Sequence, residues 1–225
     1  MTVKHAGANA NVWRILIVDD HPLVRAGLSS LIHQQPDMEI CGETGKVGEA
    51  LELVRERAPD LLIVDVSLAD GSGLDLVKRL LAHDGGIRIL VCSMHDEALF
   101  AYRALQAGAM GYIGKEEAAT RVVEAIRRVL DGKIWLSANL TERVLQGISE
   151  KRPAPKAATI DALSDRELAV FGLIGHGMGP SKIAELLHLS VKTIETHREN
   201  IKKKLNLRSG SELTRCALQW TLEQG

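Results

Sequence analysis

The run Leu61-Leu62-Ile63-Val64-Asp65 limits this chain more than any other feature. Four consecutive apolar residues, introduced by Ala58-Pro59 and closed by a carboxylate, read as a strand covered on both faces. Such a strand belongs inside a parallel sheet sandwiched by helices. Asp65 then stands where the strand leaves the sheet, and Asp70-Gly71-Ser72-Gly73 follows as a loop of turn formers. In an open α/β sheet, ligands bind just outside the carboxyl ends of the strands. Acidic residues at strand ends are common, so the meaning of Asp65 depends on what else reaches the same edge.

The rest of the first half supplies the sheet. Trp13 to Val18 reads as a first strand ending in Asp19-Asp20, and Pro22 opens a helix with Leu23, Val24, Leu28, Leu31 and Ile32 at helical spacing. Strand Met38 to Glu43 and helix Val47 to Glu56 precede the Asp65 strand, and a helix over Leu74 to Leu81 follows it. Strand Ile87 to Cys92 ends in Ser93, Glu97 to Ala107 is helical, Met110 to Ile113 is a brief fifth strand running into Lys115, and Ala118 to Leu130 is an amphipathic helix. Five strands alternating with five helices predict an α/β doubly wound parallel sheet.

Four strands of that sheet end in reactive groups: Asp19/Asp20, Asp65, Ser93 and Lys115. Three carboxylates together repel one another unless a hard cation enters, and Mg²⁺ suits such an oxygen site. With the cation present, Asp65 becomes a candidate nucleophile for phosphoryl groups, and Lys115 a stabiliser of charge on the transferring oxygens. Taken singly, Asp19 and Asp20 are equally well explained as helix caps and Lys115 as a solvated charge. The convergence of all four at one edge favours the site.

Residues 13–131 resemble the receiver domain of two-component response regulators, a flavodoxin-like fold, through Ile-Val-Asp19-Asp20-His-Pro, Val-Asp65, Cys-Ser93-Met-His and Gly-Tyr112-Ile-Gly-Lys115. The resemblance implies that Asp65 is a phosphoacceptor loaded from a phosphohistidine on a sensor histidine kinase. It implies Mg²⁺ ligation by Asp20 directly, by Asp19 through water, by Asp65 and by the backbone carbonyl of Ser67. Ser93 and Tyr112 become a switch pair, in which phosphoryl oxygens draw the Ser93 hydroxyl inward and Tyr112 follows into the vacated space. Ala69 stands where the family usually has proline, so a looser loop is expected there.

Charge then divides the chain. Residues 1–150 hold 16 Lys+Arg against 21 Asp+Glu, whereas residues 151–225 hold 12 against 8, so the overall −1 conceals an acidic front and a basic back with different partners. The boundary is expected within 132–161, with an extra helix over Ser137 to Ile148 and a polar linker carrying Pro153 and Pro155. Residues 1–12 read as a flexible tail without the apolar stretch of a signal peptide. No run approaches a membrane span. Cys41, Cys92 and Cys216 form no paired motif, which suits a reducing cytoplasm.

Residues 162–225 predict a small all-α unit of four helices. Ser164 and Glu167 form a capping-box pattern, and Pro180 opens a short helix expected to bury Ile183, Ala184, Leu186 and Leu187. Ser190 caps a longer helix through Leu205. On it Ile194, His197, Ile201 and Leu205 share one face, and Lys192, Glu195, Thr196, Glu199 and Lys203 the opposite one. This is the pattern of a helix-turn-helix, although charge alone favours a solvated bundle face, since Glu195 and Glu199 oppose a phosphate backbone.

Residues 163–219 are similar throughout to the LuxR-type helix-turn-helix of the NarL/FixJ class of response regulators. Leu-Ser-Asp-Arg-Glu, Lys182-Ile-Ala-Glu-Leu-Leu and Ser190-Val-Lys-Thr-Ile-Glu-Thr-His-Arg-Glu-Asn-Ile-Lys-Lys-Lys-Leu carry the likeness. It implies that Glu195, Thr196 and Glu199 face bases in double-stranded DNA, with Lys192, Thr193, His197 and Lys204 as phosphate contacts and Lys203 beside them. A last helix over Gly210 to Leu222 becomes a homodimer contact through Leu213, Ala217, Leu218 and Trp220, which matches an inverted-repeat operator. A transcription regulator is thus expected. The rivals are a metal-dependent phosphatase and a receiver that serves only as a docking switch. The first normally needs a second aspartate where Ser67 stands, and the second does not account for the helix-turn-helix.

Overall fold

The computed structural model describes residues 12–83, 86–95, 97–138, 141, 160 and 162–224. In chain order the elements are β1 (Trp13–Val18), α1 (Pro22–His33), β2 (Met38–Thr44), α2 (Val47–Arg57), β3 (Leu61–Val64), β4 (Ser67–Leu68), β5 (Gly71–Ser72), α3 (Gly73–His83), β6 (Arg88–Ser93), α4 (Glu97–Gln106), β7 (Gly111–Gly114) and α5 (Lys115–Leu130). After these come α6 (Asp165–Gly175), α7 (Pro180–Leu186), α8 (Val191–Lys204) and α9 (Gly210–Gln224). They divide into two compact units: Met1–Ser93 with Ala107–Trp135, and Met94–Gln106 with Leu136–Gly225.

The first unit is a five-stranded parallel sheet ordered β2-β1-β3-β6-β7. Its central strands are sealed on both sides: every residue of Ile15–Val18 and Leu61–Val64 is at most 1% exposed. At about 1.5–3 kcal/mol for each fully buried Leu, Ile or Val, these eight residues are a substantial part of the hydrophobic stabilisation of the unit. Leu28 and Ile32 of α1 and Val122, Ile126 and Val129 of α5 close the core on one face. The rigid β3 delivers Asp65 to the carboxyl edge.

The loop after Asp65 folds back upon it. Gly73 donates its N–H to the Val66 carbonyl at 2.8 Å, and a Cβ at Gly73 would lie 1.8 Å from the Asp65 carbonyl oxygen, so only glycine fits. Between them β4 and β5 form a small antiparallel hairpin. Asp70 at its tip accepts a 2.9 Å bond from the Val47 backbone at the start of α2. These ties hold the segment in which Ala69 stands where the family usually has proline.

The unit also runs beyond residue 131. Trp135 is 2% exposed and forms a parallel bridge to Gly111, exchanging backbone bonds with Tyr112 and Met110 at 3.0 Å. The helix expected over Ser137 to Ile148 and the Pro153/Pro155 linker lie largely outside the described residues, as does the tail.

In the second unit the capping box is formed: Ser164 Oγ accepts from the Glu167 N–H and Glu167 Oε2 accepts from the Ser164 N–H at 2.8 Å. Ser190 Oγ caps α8 through the Thr193 N–H at 3.0 Å. Leu168, Phe171, Ile174, Ile183, Ile194, Ile201, Leu213 and Ala217 make the core. Leu186 does not join them; it is 46% exposed, because it stands at the solvent side of the last turn of α7. α9 crosses α6 closely enough that a Cβ on Gly175 would meet Thr221 Oγ1 at 2.1 Å. On α4, the Arg103 guanidinium donates to the Leu163 carbonyl at 2.9 Å, the Ile160 carbonyl at 3.1 Å and the Asp165 carboxylate at 3.2 Å, fixing the entry to α6.

Candidate functional site

At the carboxyl edge of the sheet β1 ends in Asp19-Asp20, β3 in Asp65, β6 in Ser93, and α5 opens with Lys115. The structure brings all of them together. Lys115 Nζ lies 2.6 Å from Asp19 Oδ2 and 2.7 Å from Asp65 Oδ2, with all three side chains nearly sealed from solvent. Ser93 Oγ donates to the other Asp65 oxygen at 2.7 Å. Burial, followed by the neighbouring Asp65 charge, pushes the Asp19 carboxyl above the ordinary range despite Lys115. Burial works against the Lys115 ammonium, but the Asp65 and Asp19 charges prevail and hold its proton more firmly than usual.

Asp19 is not a helix cap. The residue before α1 is His21, no side chain caps that helix, and Asp19 Oδ1 instead accepts the His21 N–H at 2.8 Å. Arg25 on α1 reaches back to the Asp19 carbonyl at 2.5 Å and fixes the backbone of this corner. Asp20 Oδ1 is sealed from solvent and makes no hydrogen bond among the described residues, although His21 Nδ1 lies 2.8 Å away, an arrangement that fits a cation ligand. One ligand atom from each of Asp19, Asp20, His21 and Asp65 falls within 4.8 Å of the others. The three carboxylates are the hard oxygen set that Mg²⁺ takes. Ser67, whose carbonyl was expected to assist, begins β4 two residues beyond Asp65.

His21 has no assigned role on sequence grounds, yet its Nδ1 stands 2.8 Å from Asp20 Oδ1, 3.2 Å from Asp19 Oδ1 and 4.0 Å from Asp65 Oδ2. The signal for it was its place directly after the Asp19-Asp20 pair. Cys92, also at this edge, is no rival nucleophile: burial pushes its thiol up to about 12.

Ser93 and Tyr112 are the pair expected to switch. Tyr112 is fully buried and Ser93 is already bonded to Asp65. The Asp65 carboxylate supplies the acceptor that the Ser93 hydroxyl needs.

In the second unit, α7 and α8 make the helix-turn-helix around a turn in which His188 adopts φ +51°. Lys192, Glu195, Thr196, Glu199 and Lys203 are exposed on one side of α8. Glu195 pairs with Arg198 at 3.5 Å and Glu199 with Lys202 at 2.8 Å, and the Lys202 bond holds the Glu199 carboxyl below its usual range. Thr196 Oγ1 donates to the Lys192 carbonyl at 3.0 Å.

Three of the expected DNA residues are engaged inside the unit. Thr193 is half-buried at the Ser190 cap. Lys204 Nζ sits 2.6 Å from Glu167 Oε2, tying the end of α8 to the first turn of α6. Burial pushes the Glu167 carboxyl up, but the Lys204 and Ser164 hydrogen bonds outweigh it and leave the group below its ordinary value. His197 turns a buried Nδ1 inward, without a hydrogen-bond partner, and burial lowers its pKa. Of the expected dimer residues, Leu213 and Ala217 are fully buried in the unit's own core and Trp220 is half-buried, its ring 5.6 Å from that of Phe171. Leu218 and Leu222, at 47% and 73% exposed, are the apolar side chains α9 presents outward.

Comparison with known proteins agrees with both halves. Residues 15–127 match the response regulator receiver domain family, and residues 161–217 match the family of bacterial regulatory proteins described as luxR. The oxygen regulatory protein NreC of Staphylococcus haemolyticus is 36% identical over 210 residues, covering 92% of this chain and 97% of NreC. A LuxR-family two-component response regulator from Aurantimonas sp. is 35% identical with a TM-score of 0.57, covering 61% of this chain and 98% of that one. A structure of two RcsB dimers bound to two parallel DNAs is 25% identical with a TM-score of 0.57, covering 95% and 99%. The chain thus belongs to the response regulators, joining a receiver domain to a luxR-family DNA-binding domain.

Proposed function

We propose that this protein is a phosphorylation-controlled transcription regulator, loaded at Asp65 by a sensor histidine kinase and bound to promoter DNA as a homodimer on an inverted repeat. The observation that carries the reading is the position of Asp65: one oxygen held by Lys115 at 2.7 Å, the other by Ser93 at 2.7 Å, beside two further carboxylates. A carboxylate oxygen of Asp65 attacks the phosphorus, the P–N bond of the partner's phosphohistidine breaks, and its electron pair returns to the imidazole. Lys115 then faces the developing charge on the transferring oxygens, and Ser93 offers them its hydroxyl. Asp19, Asp20, Asp65 and the Ser67 carbonyl are the residues that would hold Mg²⁺, which when bound neutralises phosphoryl charge. The tight Lys115 contacts to both Asp19 and Asp65 keep the acidic edge stable meanwhile.

The receiver is assigned to residues 13–131 with Trp135 as its last packed residue, the connection to 132–161, and DNA binding to 162–225. Lys192, Glu195, Thr196, Glu199 and Lys203, exposed together on α8, are the residues offered to the major groove. No helix among the described residues is long and apolar enough to cross a membrane. A DNA partner supports a cytoplasmic location. Treating the full-length protein with phosphoramidate and Mg²⁺ and titrating it onto promoter DNA tests the reading: phosphorylation should raise affinity severalfold, and equal affinity before and after it would refute the coupling.

A further inference from the structure

His21, directly after the Asp19-Asp20 pair, brings an imidazole to the acidic edge. Its backbone N–H is bonded to Asp19 Oδ1 at 2.8 Å, and Pro22 with its fixed φ opens α1 behind it, so the corner carrying the ring is rigid. Nδ1 lies 2.8 Å from Asp20 Oδ1, 3.2 Å from Asp19 Oδ1 and 4.0 Å from Asp65 Oδ2. Around a cation with octahedral ligands at about 2.1 Å, adjacent ligand atoms lie about 3.0 Å apart and opposite ones about 4.2 Å. The three separations match two adjacent positions and one opposite position about a single centre. Asp19 turns its other oxygen to Lys115 at 2.6 Å, which leaves Oδ1 on the imidazole side.

A second observation points to the same centre. Nδ1 is placed to share a hydrogen bond with Asp19 Oδ1, but Asp20 Oδ1 has none among the described residues, despite its shorter distance from the ring. A neutral ring nitrogen and a carboxylate oxygen held 2.8 Å apart in this way repel unless a cation lies against both. Carboxylates alone suit Mg²⁺, whereas an imidazole nitrogen suits the transition ions. We propose that His21 Nδ1 is a direct ligand at this edge and turns its preference from Mg²⁺ toward first-row transition dications. The assignment rests on the reading of Asp19, Asp20 and Asp65 as a cation site and adds a ligand of another chemical class. Ligation through Nδ1 places the ring proton on Nε2.

Calorimetric titration of the full-length protein and His21→Ala with Co²⁺ and with Mg²⁺ tests this. The His21 side chain is 36% exposed and its backbone bond to Asp19 survives in alanine, so the fold should persist. Loss of a group that merely supports a metal ligand costs about 10–100-fold in affinity, so His21→Ala should weaken Co²⁺ at least tenfold. Mg²⁺ affinity should stay within about twofold, since that ion draws on the oxygens. At substoichiometric Co²⁺, X-ray absorption fine structure should show the scattering of one imidazole in the wild type and none in the variant. Co²⁺ bound without imidazole scattering, or with equal affinity in His21→Ala, would overturn the ligand and leave the carboxylate site standing. Tighter Co²⁺ binding by the variant would overturn it too, by showing that the ring competes with the cation. Failure of the wild type to bind either ion would remove the carboxylate site itself, and the role of His21 with it.

Discussion

Ser93 Oγ donates a 2.7 Å hydrogen bond to Asp65 Oδ1. The hydroxyl expected to answer phosphorylation is thus in place on the acceptor carboxylate, and Tyr112 is already inside the fold. Under the proposed function, phosphorylation changes what the Ser93 hydroxyl bonds to rather than bringing it in from afar, a small displacement that biases packed elements on either side of it.

Ser93→Ala removes that hydroxyl without adding bulk. The variant should still take up phosphoryl label at Asp65, because Lys115 retains its 2.7 Å contact. Its phosphorylation-dependent gain in promoter affinity should fall to near unity, as read by fluorescence anisotropy with and without phosphodonor.

Lys192 and Lys204 should behave differently. Lys192 is exposed on the outward side of α8, so Lys192→Ala should weaken binding about equally on all sequences and lower the salt slope by roughly one unit. Lys204 serves Glu167 instead, so Lys204→Ala should cost stability, about 0.5–1 kcal/mol with its outer end in solvent, and leave the slope nearly unchanged. Glu167 is held below its ordinary 4.5, so this contribution is full above that pH and is lost as pH falls through the lower folded value. Urea unfolding of wild type and Lys204→Ala should converge once the pH has fallen through the lowered Glu167 value.

Glu195 and Glu199 oppose a phosphate backbone in charge but can accept from cytosine N4 in the major groove. Glu195→Ala and Glu199→Ala should therefore shift base preference in a selection from random DNA. Uniformly tighter binding to every sequence would show that they only repel phosphates.

Leu218 and Leu222 carry the apolar surface α9 shows to solvent. Leu218→Glu should abolish dimerisation in sedimentation while leaving the melting temperature nearly unchanged. Leu213→Ala, a fully buried truncation, should instead destabilise the unit by about 2–5 kcal/mol.

The sheet was legible because its strands are buried on both faces and leave unbroken apolar runs such as Leu61–Val64, and the caps were legible because Ser164, Glu167 and Ser190 act within four residues. What escaped was set by distant partners. Leu213 and Ala217 look like interface residues on their own helix, and only the packing of α9 on α6 shows them to be core. The pairing of Lys204 with Glu167, far away in sequence, follows from no local pattern. Trp135 joins the receiver by a bridge to Gly111 that no local pattern announces. His21 gains its place from three carboxylates on two strands that only the fold assembles.

The central claim is that Asp65 is the phosphoacceptor. In Asp65→Asn the amide is isosteric and Lys115 keeps Asp19 at 2.6 Å, so the fold should persist while the nucleophile is lost. Labelling both proteins with phosphoramidate and Mg²⁺, then mapping the label by peptide mass spectrometry, tests this most directly. The expected result is acid-stable, base-labile label on Asp65 of the wild type and none on the variant; stable label on Asp65→Asn, or wild-type label on another residue, would contradict the assignment.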